Sequence, residues 1–198
     1  GLFTVGEVLH GAVPYCEAYF ETGMTVMDYP LYFTMREDVF HRDGDFNALD
    51  GAGLVNRDPG RSMTFVSNHD SPPPEYEELA HAFILTYQGY PRVYSKRFDI
   101  ENETISNLLS IRRRFGSGPA LTRHLDSACY VFEREGSLLV GLNRADDSRS
   151  VTVDTPWEAT TLRDYAHTGP EVTTDADGTV ELSIPSVDWV CYAPVTPS

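Results

Sequence analysis

Residues Met63-Thr64-Phe65-Val66 have strand character and run straight into Ser67-Asn68-His69-Asp70, after which Ser71 and three prolines, Pro72, Pro73 and Pro74, stop any extended pairing. A polar triplet on the end of a buried strand is how parallel α/β proteins present chemistry, because their sites gather at the carboxyl ends of the strands. Upstream, Phe3-Thr4-Val5-Gly6 delivers Glu7 in the same manner. Sixty-three residues separate Glu7 from Asp70. That distance fits two strand-helix units of about 31 residues, the mean repeat of a (β/α)₈ barrel of ~250 residues.

The rest of the first ~115 residues keeps to this alternation. Thr25-Val26-Met27-Asp28-Tyr29 reads as a strand closed by Pro30, and Tyr32, Met35 and Val39 continue it at helical spacing. Phe65 to Asn68 is the third strand. Tyr76, Leu79, Ala80, Phe83, Ile84 and Tyr87 then recur at the intervals of an amphipathic helix ended by Gly89, and Pro91-Arg92-Val93-Tyr94 forms a short fourth strand. Ile105, Leu108, Ile111 and Phe115 mark a last helix, with Glu101 and Glu103 near its start and Arg112, Arg113 and Arg114 near its end, matching the helix dipole.

Gly116-Ser117-Gly118-Pro119 marks a change of character. Short strand patterns come after it at Tyr130-Val131-Phe132, Leu138 to Leu142, Val151-Thr152-Val153, Val180-Glu181-Leu182 and Trp189 to Tyr192. Turn residues separate them, at Glu135-Gly136, Asp146-Asp147-Ser148 and Asp177-Gly178. Residues 1–117 are therefore expected to be α/β with parallel strands, and residues 118–198 an antiparallel β-sandwich.

Thirty acidic residues oppose fifteen basic ones, a formal charge of -15, and Lys96 is the only lysine. Such a surface repels nucleic acid and anionic membranes, so neither is expected as a partner. Acid excess with so little lysine suits a protein hydrated in molar salt, where screening removes the self-repulsion; an ordinary acidic protein is the alternative. Cys16, Cys129 and Cys191 form no paired metal-binding motif and leave an odd thiol, which argues against a zinc site or a disulfide scaffold. No apolar run approaches the ~18 residues of a membrane-spanning helix.

Taken together, these segments resemble the α-amylase family, glycoside hydrolase family 13. Thr4-Val5-Gly6-Glu7-Val8-Leu9-His10-Gly11 resembles the motif at the family's fifth barrel strand, and Val26-Met27-Asp28-Tyr29-Pro30-Leu31 the stretch around the sixth. Phe65-Val66-Ser67-Asn68-His69-Asp70 resembles the seventh-strand motif, and Gly89-Tyr90-Pro91-Arg92-Val93-Tyr94 the eighth strand. The resemblance implies strands 5 to 8 of a (β/α)₈ TIM barrel followed by the family's C-terminal sandwich. Within the family the lysine-poor acidic surface resembles salt-adapted archaeal members.

The resemblance also implies roles. Glu7 would be the general acid, protonating the leaving oxygen and then activating water, so it must hold a proton at neutral pH, which partial burial and neighbouring carboxylates would favour. Asp70 and His69 would grip hydroxyls of the sugar at the cleavage point, with Asn68 beside them and Asp70 stabilising developing positive charge. Leu9, His10 and Gly11 would line the leaving-group side. Tyr15, Tyr19, Tyr29 and Tyr32 could stack on sugar faces or belong to the core. The family's nucleophile, an aspartate after the fourth strand, would lie upstream, as would most ligands of its calcium.

The implied activity is retaining hydrolysis of α-1,4-glucans such as starch. This chain alone is expected to be inactive and to need the N-terminal half of the barrel. Two alternatives stay open: a non-catalytic carbohydrate-binding or scaffolding relative, and a member acting by transglycosylation or on α-1,6 bonds. Taken alone, Asn68-His69-Asp70 also fits a polar turn or, less well, a His-Asp metal site.

Overall fold

A computed structural model describes residues 2–95, 102–167 and 169–195. The chain divides into two compact units, Gly1–Asn102 and Glu103–Ser198.

The first unit is organised by parallel strands β1 (Val5–Gly6), β2 (Thr25–Met27) and β3 (Ser62–Met63), side by side in that order. Val5 and Gly6 pair with Thr25 and Val26; Val26 and Met27 pair with Ser62 and Met63. The central strand is buried on both faces, as parallel sheets require. Its Val26 packs with Cys16, Phe20 and Leu54, while Met27 faces the other way into Tyr29, Tyr32, Met63 and Phe65. Between the strands lie α1 (Val13–Glu17), which runs into a 3₁₀ turn over Ala18–Thr22, and α2 (Tyr29–Thr34), which loosens into a π turn over Met35–Val39.

The third and fourth strands differ from expectation. Regular pairing in β3 stops at Met63. Beyond it a single parallel bridge joins Phe65 to Arg92, with Tyr90 N–H donating to Ser62 and Arg92 N–H to Thr64. Asn68 lies past the strand, in a turn closed by its own N–H on the Ser71 carbonyl. The expected strand at Pro91–Tyr94 reduces to that bridge, since Pro91 has no N–H to offer a further neighbour. Helix α3 (Glu77–Thr86) forms where its spacing predicts, but it is buried from Leu79 through Thr86 rather than along one stripe. Apolar residues at intervening positions, such as Ala82 and Leu85, explain the difference.

Helix α4 (Glu103–Phe115) clusters with the second unit, fifteen residues ahead of the boundary expected at 117/118. It buries Ile105, Leu108 and Ile111, and the Asn107 amide donates to the carbonyls of Tyr165 and Ala166. The arginines of its last turn do more than face the dipole: the Arg114 guanidinium lies 4.8 Å from the Phe115 ring centroid and 5.0 Å from that of Tyr165. Glu101 falls outside the described residues.

The sandwich completes the chain. Strands β4 (Ala120–Leu125), β5 (Cys129–Arg134), β6 (Leu138–Asn143), β7 (Arg149–Asp154), β8 (Thr161–Asp164), β9 (Val172–Thr173), β10 (Thr179–Ile184) and β11 (Asp188–Pro194) form two sheets. One is a six-stranded sheet in the order β4-β5-β6-β11-β8-β9, the other the antiparallel pair β10-β7. Val151, Val153, Val180, Leu182 and Ile184 from the pair meet Cys129, Val131, Leu139, Leu162 and Val190 from the larger sheet. The expected turns form, with Gly136 and Gly178 at positive φ; a Cβ on Gly178 would lie 2.3 Å from the Thr155 carbonyl oxygen. Cys129 and Cys191 are free, buried core residues. Strand β4 shows no two-residue alternation of burial and is interrupted by a bulge between Thr122 and His124, whereas β8 alternates over only four residues and β9 is two residues long. One half-buried ion pair has no hydrophobic signature: the Arg123 guanidinium grips the buried Glu133 Oε2 at 2.6 and 2.9 Å, while Glu133 Oε1 accepts from Gly136 N–H.

Candidate functional site

The carboxyl ends of β1, β2 and β3 bring three side chains of the first unit into one hydrogen-bonded chain. Glu7 directly succeeds β1, Tyr29 opens α2 two residues after β2, and Asn68 lies in the turn beyond β3. The Asn68 amide Nδ2 donates to the Tyr29 hydroxyl at 2.9 Å, and that hydroxyl donates to Glu7 Oε1 at 2.6 Å. Tyr29 and Asn68 are buried while Glu7 is exposed. Glu7 therefore lacks the partial burial expected of it; a buried phenol holds one carboxyl oxygen, and among the described residues Oε2 has no protein partner. Burial and the Glu7 carboxylate together push the Tyr29 hydroxyl above its ordinary value, so it stays a proton donor.

Asp70 and His69 lie on the same turn. Asn68 Oδ1 accepts from the Asp70 N–H at 2.8 Å, which fixes the turn. His69 Nε2 lies 3.1 Å from Asp70 Oδ2, with the two side chains 61 and 77% exposed. Tyr32 anchors the segment beyond: its hydroxyl donates to the Pro72 carbonyl at 2.7 Å and its ring stacks on Phe65 at 5.1 Å. The three prolines thus have a fixed point, and the turn is pinned at both ends.

On the other side of Glu7, Leu9, His10 and Gly11 are all exposed. His10 Nδ1 accepts from Ala12 N–H at 3.0 Å. At Gly11 an added Cβ would meet only Phe33, at an ordinary 3.5 Å, so local packing places no demand for glycine there. The four tyrosines divide evenly: Tyr29 and Tyr32 are core residues, Tyr15 and Tyr19 are exposed. In the second unit Trp189 is buried and Trp157 packs against the sandwich core, so neither tryptophan is an open platform.

Sequence patterning missed Asp28. Its carboxylate is fully buried and accepts three backbone N–H groups, Leu31 and Leu54 on Oδ1 and Val55 on Oδ2, at 2.8 to 3.0 Å. It caps α2 and thereby orients Tyr29, the next residue. Gly53 makes room for it: φ is +76°, and a Cβ there would fall 2.8 Å from Asp28 Oδ2 and 2.6 Å from Leu31 Cβ. The signal available was an Asp followed at N2 by Pro30, a helix start. No group of three or more His, Cys, Asp or Glu side chains able to hold a metal occurs among the described residues.

A family model described as "Alpha-amylase C-terminal" matches residues 138–192, within the sandwich. The cytoplasmic α-amylase of Escherichia coli K12 is 26% identical over 89% of this chain and 44% of its own length. The α-amylase of Bacillus licheniformis is 28% identical over 59% of the chain and 28% of its own length. Among solved structures, an α-amylase from Geobacillus thermoleovorans, complexed with acarbose, superposes with a TM-score of 0.80 at 18% identity, covering 99% of this chain and 54% of that one. The chain thus spans less than half the length of these curated relatives. The chain is thus similar to α-amylases in sequence and in fold, and its sandwich matches the α-amylase C-terminal model.

Proposed function

We propose that the polypeptide to which this chain belongs hydrolyses α-1,4-glucans with retention, and that the first unit is strands 5 to 8 of its (β/α)₈ barrel. The observation that carries the proposal is the hydrogen-bonded chain from Asn68 through Tyr29 to Glu7. It ties the ends of the two strand motifs together and leaves one carboxyl oxygen of Glu7 open. A purely structural glutamate gains nothing from a buried phenol that orients it toward solvent.

In this scheme Glu7 Oε2 carries the proton. As the bond from the anomeric carbon to the leaving oxygen breaks, that proton passes to the oxygen and the leaving chain departs with a free hydroxyl. A carboxylate from the upstream half forms the new bond to the anomeric carbon. Glu7, now ionised, takes a proton from water as the water oxygen displaces that carboxylate. Asp70 and His69, exposed and paired, face substrate hydroxyls, and the Asp70 charge opposes the positive charge that develops on the sugar. The acid-rich, lysine-poor composition suits work in high salt.

The test is anomer-resolved proton NMR during digestion of maltoheptaose by the full-length polypeptide. The α-anomer should appear first and mutarotate afterwards, and the 198-residue chain alone should release nothing. First appearance of the β-anomer would overturn retention. Binding of maltoheptaose without release of sugar by the full-length polypeptide would establish the non-catalytic alternative.

A further inference from the structure

The smaller sheet of the sandwich ends at β10, whose second edge pairs with no strand among the described residues. Thr155 N–H donates to the Gly178 carbonyl, and the register carries that pairing on through Val153 with Val180 and Val151 with Leu182. In an antiparallel ladder the residues between such pairs turn their backbone groups the other way. Thr179 shows this, since its carbonyl accepts from Asp175 N–H on the side away from β7. Glu181 and Ser183 thus present N–H and C=O to the open edge, where no described residue pairs with them.

Two adjoining hollows run beside that edge, of about 400 and 460 Å³, and they share Val172 and Glu181. Each has the size of a ligand cleft. The first reaches Asp164, Asp188 and Tyr192 of the larger sheet; the second reaches Thr152, Asp175 and Thr179. Val172 belongs to β9, which is itself the last strand of the larger sheet. The mouth therefore lies between the open edges of both sheets, within the second unit.

The lining selects the occupant. Among the described residues it offers four carboxylates, Asp164, Asp175, Glu181 and Asp188, and neither lysine nor arginine. Asp164 is only 6% exposed, and its Oδ1 is held by the N–H groups of Ala166 and Cys191, both at 2.9 Å. Asp188 Oδ1 accepts from Trp189 N–H at 2.8 Å and lies 3.2 Å from His167 Nε2. Fixed anions beside an unpaired strand edge suit an extended basic peptide: its backbone continues the ladder while its cations meet the carboxylates. A second copy of this chain suits the site badly, because its own β10 would bring Glu181 against the same acids. Partial enclosure also leaves such charge pairs less screened by salt than surface ones.

We propose that the mouth between β9 and β10 binds an extended basic segment of a partner protein, added as a strand to the free edge of β10. Glu181 and Ser183 supply the backbone pairing, and the four carboxylates select arginine or lysine side chains. The site is independent of the chemistry assigned to Glu7. It gives the sandwich a role of its own, which is to tether the polypeptide to a basic partner.

The experiment is a fluorescence-anisotropy titration of the full-length polypeptide with a labelled peptide of alternating threonine and arginine. A second probe has the same sequence N-methylated at every residue, which keeps the charges and removes the backbone donors. The parent probe should bind, and the methylated one about tenfold or more weakly. Glu181→Lys, at an exposed position, should weaken the parent probe about tenfold with an unchanged melting temperature. Equal binding of both probes would reduce the effect to adsorption on an acidic surface and overturn strand addition. An unaffected Glu181→Lys variant would place the peptide elsewhere, and a parent probe that does not bind would remove the site. Displacement of the peptide by maltoheptaose would make the mouth a sugar site and overturn the peptide assignment.

Discussion

In the full-length polypeptide, Glu7→Gln should lower kcat on maltoheptaose by about 10²- to 10⁴-fold, the range for loss of a positioned general acid. The substitution is nearly isosteric, and an amide oxygen can still accept the Tyr29 hydroxyl that holds Oε1 at 2.6 Å. Geometry and substrate affinity should therefore survive, and KM should change little. What is lost is the proton on the other oxygen. The loss should accordingly depend on the leaving group: with α-maltosyl fluoride, whose fluoride departs with little need of a proton, formation of the glycosyl-enzyme should recover much of its rate. The measurement is kcat/KM on both substrates for the parent and the variant, with the burst of fluoride release, since both report formation of the glycosyl-enzyme and not its hydrolysis. Equal losses on both would assign Glu7 to charge stabilisation or binding, and near parental activity on maltoheptaose would remove it from the chemistry altogether.

What makes Glu7 conspicuous in the sequence is the strand that delivers it, and the same is true of Asn68-His69-Asp70. Strand patterning marks those segments by their β-branched and aromatic residues, but only β2 is central and buried on both faces; β1 is an exposed edge, and β3 pairs regularly over Ser62–Met63 alone. Turn chemistry succeeds in the sandwich for a related reason: Gly136 and Gly178 occupy positive φ, where other residues are strained. Patterning fails wherever the stabilising partner is remote or polar. Strands β8 and β9 are four and two residues long, too short for a period to register. The Tyr29 hydroxyl joins residues 22 and 39 positions away, and no local rule separates it from Tyr15 or Tyr19. The spacing of an aromatic residue gives its element and its phase, but whether its ring closes a core or faces solvent depends on what packs over it.

Asp28 is the extreme case, since Leu54 and Val55, two of its three partners, come from a loop with no hydrophobic period at all. Asp28→Ala should cost the first unit about 3–5 kcal/mol, because three backbone N–H groups lose their acceptor where water cannot reach them. By calorimetry on the full-length polypeptide this is a fall of roughly 10 °C in the melting of the segment that contains it. The pH dependence has a definite sign. Burial pushes the Asp28 carboxyl from its ordinary 3.8 up to about 6, with the three N–H groups drawing it partway back. A carboxyl that binds its proton more tightly folded than unfolded contributes stability that is fully present below 3.8 and is lost as pH rises through about 6. Alanine does not titrate, so the difference between wild type and Asp28→Ala should be largest near the acid end of that window and shrink toward pH 8. A difference that instead grows with pH would mean that the three N–H groups outweigh burial and hold Asp28 as a stabilised anion. Because Asp28 precedes Tyr29 and caps the helix that Tyr29 begins, Asp28→Ala should also reduce kcat at temperatures where the fold persists, through a displaced phenol and a misdirected Glu7.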